Sequence, residues 1–192
     1  MNFRTFARAA AVATLVSATA GVAFPAFSAE QTVMVGGGAM YPSKNIIENA
    51  MNSKDHTTLV AAVKAAGLVE TLEGKGPFTV FAPTNEAFAK LPAGTVDDLL
   101  KPESKDKLVK ILTCHVLAAD ATSDAAMKMI KDDGGQHEVT TVGGCKLWLK
   151  MNGDKLTVTD ENGDVATVTI ADVMQSNGVI HVIDTVLLPK MM

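Results

Sequence analysis

Arginine is almost missing from this 192-residue chain: it occurs at Arg4 and Arg8 and nowhere else, so lysine supplies the remaining basic charge. Arginine is the side chain that grips phosphates and base edges with a two-pronged fork, and a nucleic-acid binder carries a basic face. Here 17 Lys plus Arg stand against 21 Asp plus Glu, a formal net charge of −4. Nucleic acid is therefore excluded as a partner, and adsorption to anionic lipid is disfavoured. Cysteine is scarce as well, at two residues with no Cys-x-x-Cys spacing. There is no Gly-x-Ser-x-Gly, no His-Glu-x-x-His and no phosphate-cradling glycine loop, so no spacing points to catalysis. Nor does any apolar run reach the roughly 20 residues of a membrane-spanning helix.

What is present begins with a leader. Arg4 and Arg8 give a positive start, Ala9 to Val16 an apolar stretch, and small residues follow, the pattern of a secretory signal peptide over residues 1–28. A cut after Ser28, with Ala26 at minus three, or after Ala29 fits; a retained membrane anchor is the weaker alternative. Cleavage removes both arginines and leaves 15 Lys against 21 acids, a net of −6 for a chain starting at Ala29. The product is expected to be soluble and secreted or periplasmic. Residues 29–41, with Gly36-Gly37-Gly38, show little periodicity and read as a flexible linker. The rest, residues 42–190, suffices for one domain with one core.

Two stretches organise that domain. Gly76 to Pro92 reads Gly-Pro-Phe-Thr-Val-Phe-Ala-Pro-Thr-Asn-Glu-Ala-Phe-Ala-Lys-Leu-Pro. It predicts a buried strand over Phe78–Ala82, a stop at Pro83, and a short helix capped by Thr84 and ended by Pro92. Asn177 to Pro189 reads Asn-Gly-Val-Ile-His-Val-Ile-Asp-Thr-Val-Leu-Leu-Pro, a turn followed by a long β-branched run. These two blocks resemble the two signature segments of the fasciclin domain family, and the resemblance runs from about Asn45 to Pro189. It implies an α+β fold, a β-wedge or sandwich with several short helices packed to one side.

The patterning between the blocks agrees with that class. Helices are predicted from Ser43, from Thr57 to a left-handed close at Gly67, from Thr95, over Glu103–Thr113, and from Ser123 or Asp124 to Gly134-Gly135. Thr95 with Asp98 has the spacing of a capping box. From Gln136 the period becomes two, in hairpins broken at Gly143-Gly144, Asn152-Gly153 and Asn162-Gly163. Cys145, Leu147 and Leu149 should face the core, and Lys146, Trp148 and Lys150 mostly water.

Few residues offer chemistry. Cys114 and Cys145, in an exported chain, are read as one disulfide, worth roughly 3 to 4 kcal/mol for a loop of about 30 residues. Two separate buried thiols are the alternative, and a redox pair is weaker still. His115 and His181 are read as buried imidazoles bonded to backbone or carboxylate rather than metal ligands, and no metal site or cofactor is expected. Asn85 and Asp184 are read as architectural, Asp184 through backbone amides or His181. The acidic pairs Asp97-Asp98 and Asp132-Asp133 read as solvated faces, with weak calcium affinity left open. Trp148 is either covered by a neighbouring element or an exposed partner contact able to stack on a sugar ring.

The resemblance implies a non-enzymatic adhesion or binding module for cell-cell or cell-surface contact, its partner a cell-surface or matrix protein or a glycan. In animal members a Tyr-His pair is associated with integrin contact, and the matching dipeptide here is Cys114-His115. A monomer is expected. The alternative is a periplasmic or extracellular protein that binds a small ligand or polysaccharide.

Overall fold

The computed structural model describes residues 32–190, so the leader lies outside the described residues. Seven strands form one mixed sheet, ordered β4-β3-β9-β8-β7-β6-β5 when numbered along the chain. They are β3 (Phe78–Pro83), β4 (Val116–Leu117), β5 (Gln136–Thr140), β6 (Lys146–Asn152), β7 (Lys155–Thr159), β8 (Val165–Gln175) and β9 (Gly178–Ile183). Strands β1 (Val33–Val35) and β2 (Gly38–Met40) make a separate hairpin. The helices are α1 (Ile46–Ala50), α2 (Thr57–Ala66), α3 (Val69–Glu73), α4 (Asn85–Ala89), α5 (Thr95–Leu99), α6 (Lys105–Cys114) and α7 (Ser123–Asp132). Helices gather early and hairpins late, giving an α+β fold.

The two blocks singled out in the sequence lie side by side. β3 and β9 run parallel in continuous register from Phe78 opposite Gly178 to Pro83 opposite Ile183. Both strands are buried on both faces, which is why each reads as an unbroken apolar run instead of an alternating one. Pro83 is the last residue of β3, where a missing N–H costs the ladder least. Alternation along the pair divides the core in two. Val80, Ala82, Ile180 and Val182 face a cluster built with α1, α2, α3 and α6. Phe81 and Ile183 face a second cluster with Ala126 and Ile130 of α7 and the inner residues of β6 to β8.

Strand β8 belongs to both clusters. Ala166 and Val168 point into the second, and Ile170 and Val173 pack in the first. Its pairing with β9 slips between Val168 and Ile170 and again between Ile170 and Val173, and Asp172 has a left-handed backbone at φ 55°. The irregularity bends the strand and re-aims its side chains, so one strand serves two cores.

The linker reading fails for residues 33–40, which form the β1–β2 hairpin with Val35 and Met40 both 3% exposed. Gly36 and Gly37, at φ 57° and 74°, are its two-residue turn, so glycines that resembled a leash are turn residues. Several caps also move. Asn45, not Ser43, caps α1 in a reciprocal box with Glu48. Left-handed Gly94 begins α5 without a side-chain cap, so Thr95 and Asp98 make no box. Thr122 caps α7 one residue before the predicted position. The shifts at α1 and α7 are slips between nearby polar residues with similar cap preference, which composition alone does not separate.

Candidate functional site

Three of the sequence-selected residues, Cys114, His115 and Cys145, collect where α6 meets the sheet. Helix α6 buries Leu108, Ile111 and Leu112, and its last residue, Cys114, is 1% exposed. Cys145, just before β6, is 2% exposed and is joined to Cys114 as a disulfide with Cα atoms 5.4 Å apart. The loop leading to it docks by backbone: Val142 N–H donates to Val116 O at 2.8 Å and Gly143 N–H to Thr113 O at 3.0 Å. Thr141 closes the turn, its Oγ1 accepting the Cys145 N–H at 3.0 Å. The bridge therefore reinforces a junction already hydrogen-bonded on both sides.

His115 follows and is fully enclosed. Its Nε2 accepts the Leu187 N–H at 2.9 Å, which leaves Nδ1 as the N–H donor to the Ile111 carbonyl at 2.8 Å. The imidazole is thus neutral, and burial pushes its pKa down to about 4 despite the pull of the Ile111 carbonyl and Asp160. It ties the end of α6 to the C-terminal segment. His181 plays the same part on β9. Its Nδ1 accepts the Asp172 N–H at 3.3 Å and its Nε2 donates to Ala121 O at 2.7 Å. Burial lowers its pKa, and its ring stacks 5.8 Å from Phe81. Both histidines spend both ring nitrogens on backbone, leaving none for proton transfer.

Asn85 supplies a cap across elements. Helix α2 has no side-chain cap of its own, and Asn85 Oδ1 accepts Thr58 N–H at 3.0 Å and Thr57 Oγ1 at 3.2 Å. Its Nδ2 donates to Lys54 O at 2.9 Å. Asp184 accepts the Thr167 N–H at 2.8 Å and the Thr185 hydroxyl at 3.1 Å, with Lys90 at 3.8 Å; His181 is not its partner. Trp148 is elsewhere, half-buried on the outer face of β6.

Sequence reasoning passed over several buried or half-buried polar residues of equal weight. Asn177, seen only as a turn residue, donates to Leu72 O and Gly74 O at 2.7 and 3.0 Å and accepts the Ile46 N–H at 3.1 Å. Asp160 accepts the Asn162, Asp164 and Leu188 N–H groups at 2.8 to 3.0 Å. Asp172 accepts the Ser123 N–H at 2.7 Å and its hydroxyl at the start of α7. Thr79 Oγ1 donates to the Ala119 carbonyl at 2.6 Å and accepts the Ala121 N–H at 2.8 Å. His56, 3% exposed, lies 2.8 Å from Ser53 Oγ through Nδ1, and its Nε2 faces the Ala82 carbonyl without a hydrogen bond of ordinary geometry. It lines a largely apolar cavity of about 40 Å³, room for a few waters.

Among the described residues no three His, Cys, Asp or Glu side chains are grouped to hold a metal ion. Asp98 pairs with Lys101 and Asp133 with His137, each at 2.6 Å. The selected residues thus form a polar framework that fixes helices and loops to the β3–β9 pair, with one aromatic residue apart on an outer face.

Comparison with known proteins gives consistent matches. A family model described as Fasciclin domain matches residues 54–189. The chain is 49% identical over 162 residues to protein sll1483 of Synechocystis sp., covering 84% of this chain and 83% of that one. It is 37% identical over 153 residues to transforming growth factor-beta-induced protein ig-h3 of Sus scrofa, covering 77% of this chain and 20% of that protein. Among solved structures, a FAS1 domain pair from the insect cell adhesion molecule fasciclin I aligns with TM-score 0.55 and 26% identity, over 68% of this chain and 43% of that one.

Proposed function

The chain belongs to the fasciclin domain family, and from that membership we propose that it is an exported, non-enzymatic adhesion module mediating contact of a cell with another cell or a surface. The observation that carries this reading is the likeness to a domain pair from a cell adhesion molecule. Physical features support it. A scaffold cross-tied by a disulfide, two backbone-bonded histidines and Asn85 has little left to order on binding, which lowers the cost of association. The leader pattern supports export. The Cys at the position of the family's Tyr-His pair is committed to the bridge, which favours a partner other than an integrin.

One module binds weakly unless many copies act together, so the domain works on a surface that displays it densely. The test is a pull-down with the purified domain, residues 29–192, immobilised at high density against solubilised surface components of the producing cell. A specific retained component is the expected result. Nothing retained beyond bare matrix overturns the adhesion reading.

A further inference from the structure

We propose that the outer face of β5 to β8 binds an acidic polysaccharide, with Trp148 as its stacking platform; this names a partner class for the adhesion reading and rests on it. Cross-strand register places Glu138, Trp148, Thr159 and Val165 in one row across four strands. At about 4.8 Å per strand the row is roughly 14 Å long. The opposite face of these strands is the second core, so this one looks outward. Trp148 is partly exposed, and Val165, at the end of the row, is 53% exposed.

Charge chooses the partner. Two residues either side of Trp148, on the same face, stand Lys146 and Lys150, and Lys155 lies on the next strand. Glu138 is the single acid on this face of β5 to β8, in a chain that is acidic overall. Lys146 takes it at 2.9 Å. Neither Lys150 nor Lys155 makes an ion pair among the described residues. The Lys146 ammonium holds the Glu138 carboxyl below its usual range.

A sugar ring has an apolar C–H face that suits the electron-rich face of an indole, and hydroxyls that suit threonine and lysine side chains. Carboxylates on that sugar meet the unpaired lysines. Competing partners fit less well. Protein interfaces centre on clustered aromatic and apolar residues and are poor in lysine. Anionic membranes call for about four to eight clustered cations, and nucleic-acid grips on the order of six to ten phosphate contacts, more than this face offers.

Trp148 is the sole tryptophan, so its emission reports directly on the face. The folded protein is titrated with polygalacturonate, neutral dextran and anionic phospholipid vesicles. The expected result is a saturable emission change with polygalacturonate alone, weakened by added salt. By calorimetry, Trp148→Ala and the exposed, fold-neutral pair Lys150→Gln/Lys155→Gln should each weaken binding at least about tenfold. No response to polygalacturonate, unaltered binding by both variants, or an equal response to dextran or vesicles overturns the proposal. A domain that retains surface components in the pull-down yet ignores polygalacturonate loses this face and keeps the adhesion reading. One that binds polygalacturonate yet retains no surface component keeps the face and loses the adhesion reading.

Discussion

His115 carries an acid sensitivity that its position makes unavoidable. Folded, it titrates at about 4, against 6.5 for the free side chain, so between those values the unfolded chain binds more protons. Its contribution is full above pH 6.5 and is lost as pH falls toward 4, roughly 3 kcal/mol over the window. Burial shifts His56 and His181 in the same direction. Urea unfolding at pH 7 and pH 4.5 should show this loss. His115→Leu should cost about 2 to 4 kcal/mol at pH 7, by orphaning the Leu187 N–H and Ile111 carbonyl, yet lose less between the two pH values. Equal losses in both proteins would mean that His115 is not the titrating group. The Cys114–Cys145 bridge spans 31 residues, so reduction should cost about 3 to 4 kcal/mol on the chain-entropy model. Thermal melts with and without reductant, alongside thiol counting, check it; two free thiols in the oxidised protein would remove the bridge. The cysteine pair was legible because nothing else could pair with either. The partners of Asn177 and Asp172 were not, since Leu72 is 105 residues away and Ser123 is 49. Turn chemistry disclosed the residue type and not the far end of the bond.

At the scale of elements, strands read well where their composition was extreme. β3 and β9, buried on both faces, appear as apolar runs between turn residues, and β6 as strict alternation. The β1–β2 hairpin was invisible because strands of three residues leave no period to detect. The bend in β8 was hidden too, since Asp172 gives no compositional sign of a left-handed backbone. Two substitutions probe the joints between elements. Asn85→Ala removes the cap lent to α2 and should cost about 1 to 2 kcal/mol, while Asn85→Asp keeps both accepted bonds but turns a carboxylate oxygen on the Lys54 carbonyl, and should recover only part of it. Gly178 begins β9 at φ 154°, and a Cβ there would sit 1.9 Å from the Phe78 carbonyl oxygen. Gly178→Ala should therefore destabilise by at least about 2 kcal/mol and disturb the start of the β3–β9 register. Denaturant midpoints for both variants decide; a neutral Gly178→Ala would mean that the two strands are less tightly apposed.

For the whole molecule, the membership and the α+β fold were legible because two long blocks mark the central parallel pair. The proposed binding face was only partly so. Trp148 between two lysines was visible in sequence, but its row with Glu138, Thr159 and Val165 exists only once register is set. Histidines, asparagines and aspartates that look reactive in sequence are spent inside the scaffold on backbone groups. The proposed adhesion role therefore rests on the outer faces. The most direct measurement of that claim is attachment of cells of the producing organism to beads coated with the folded domain, beside beads coated with the Gly178→Ala variant unfolded by mild heating. Saturable attachment to the folded coat, and its loss on the unfolded one, is the expected result. Attachment no greater than to bare beads, or equal on both coats, would contradict it.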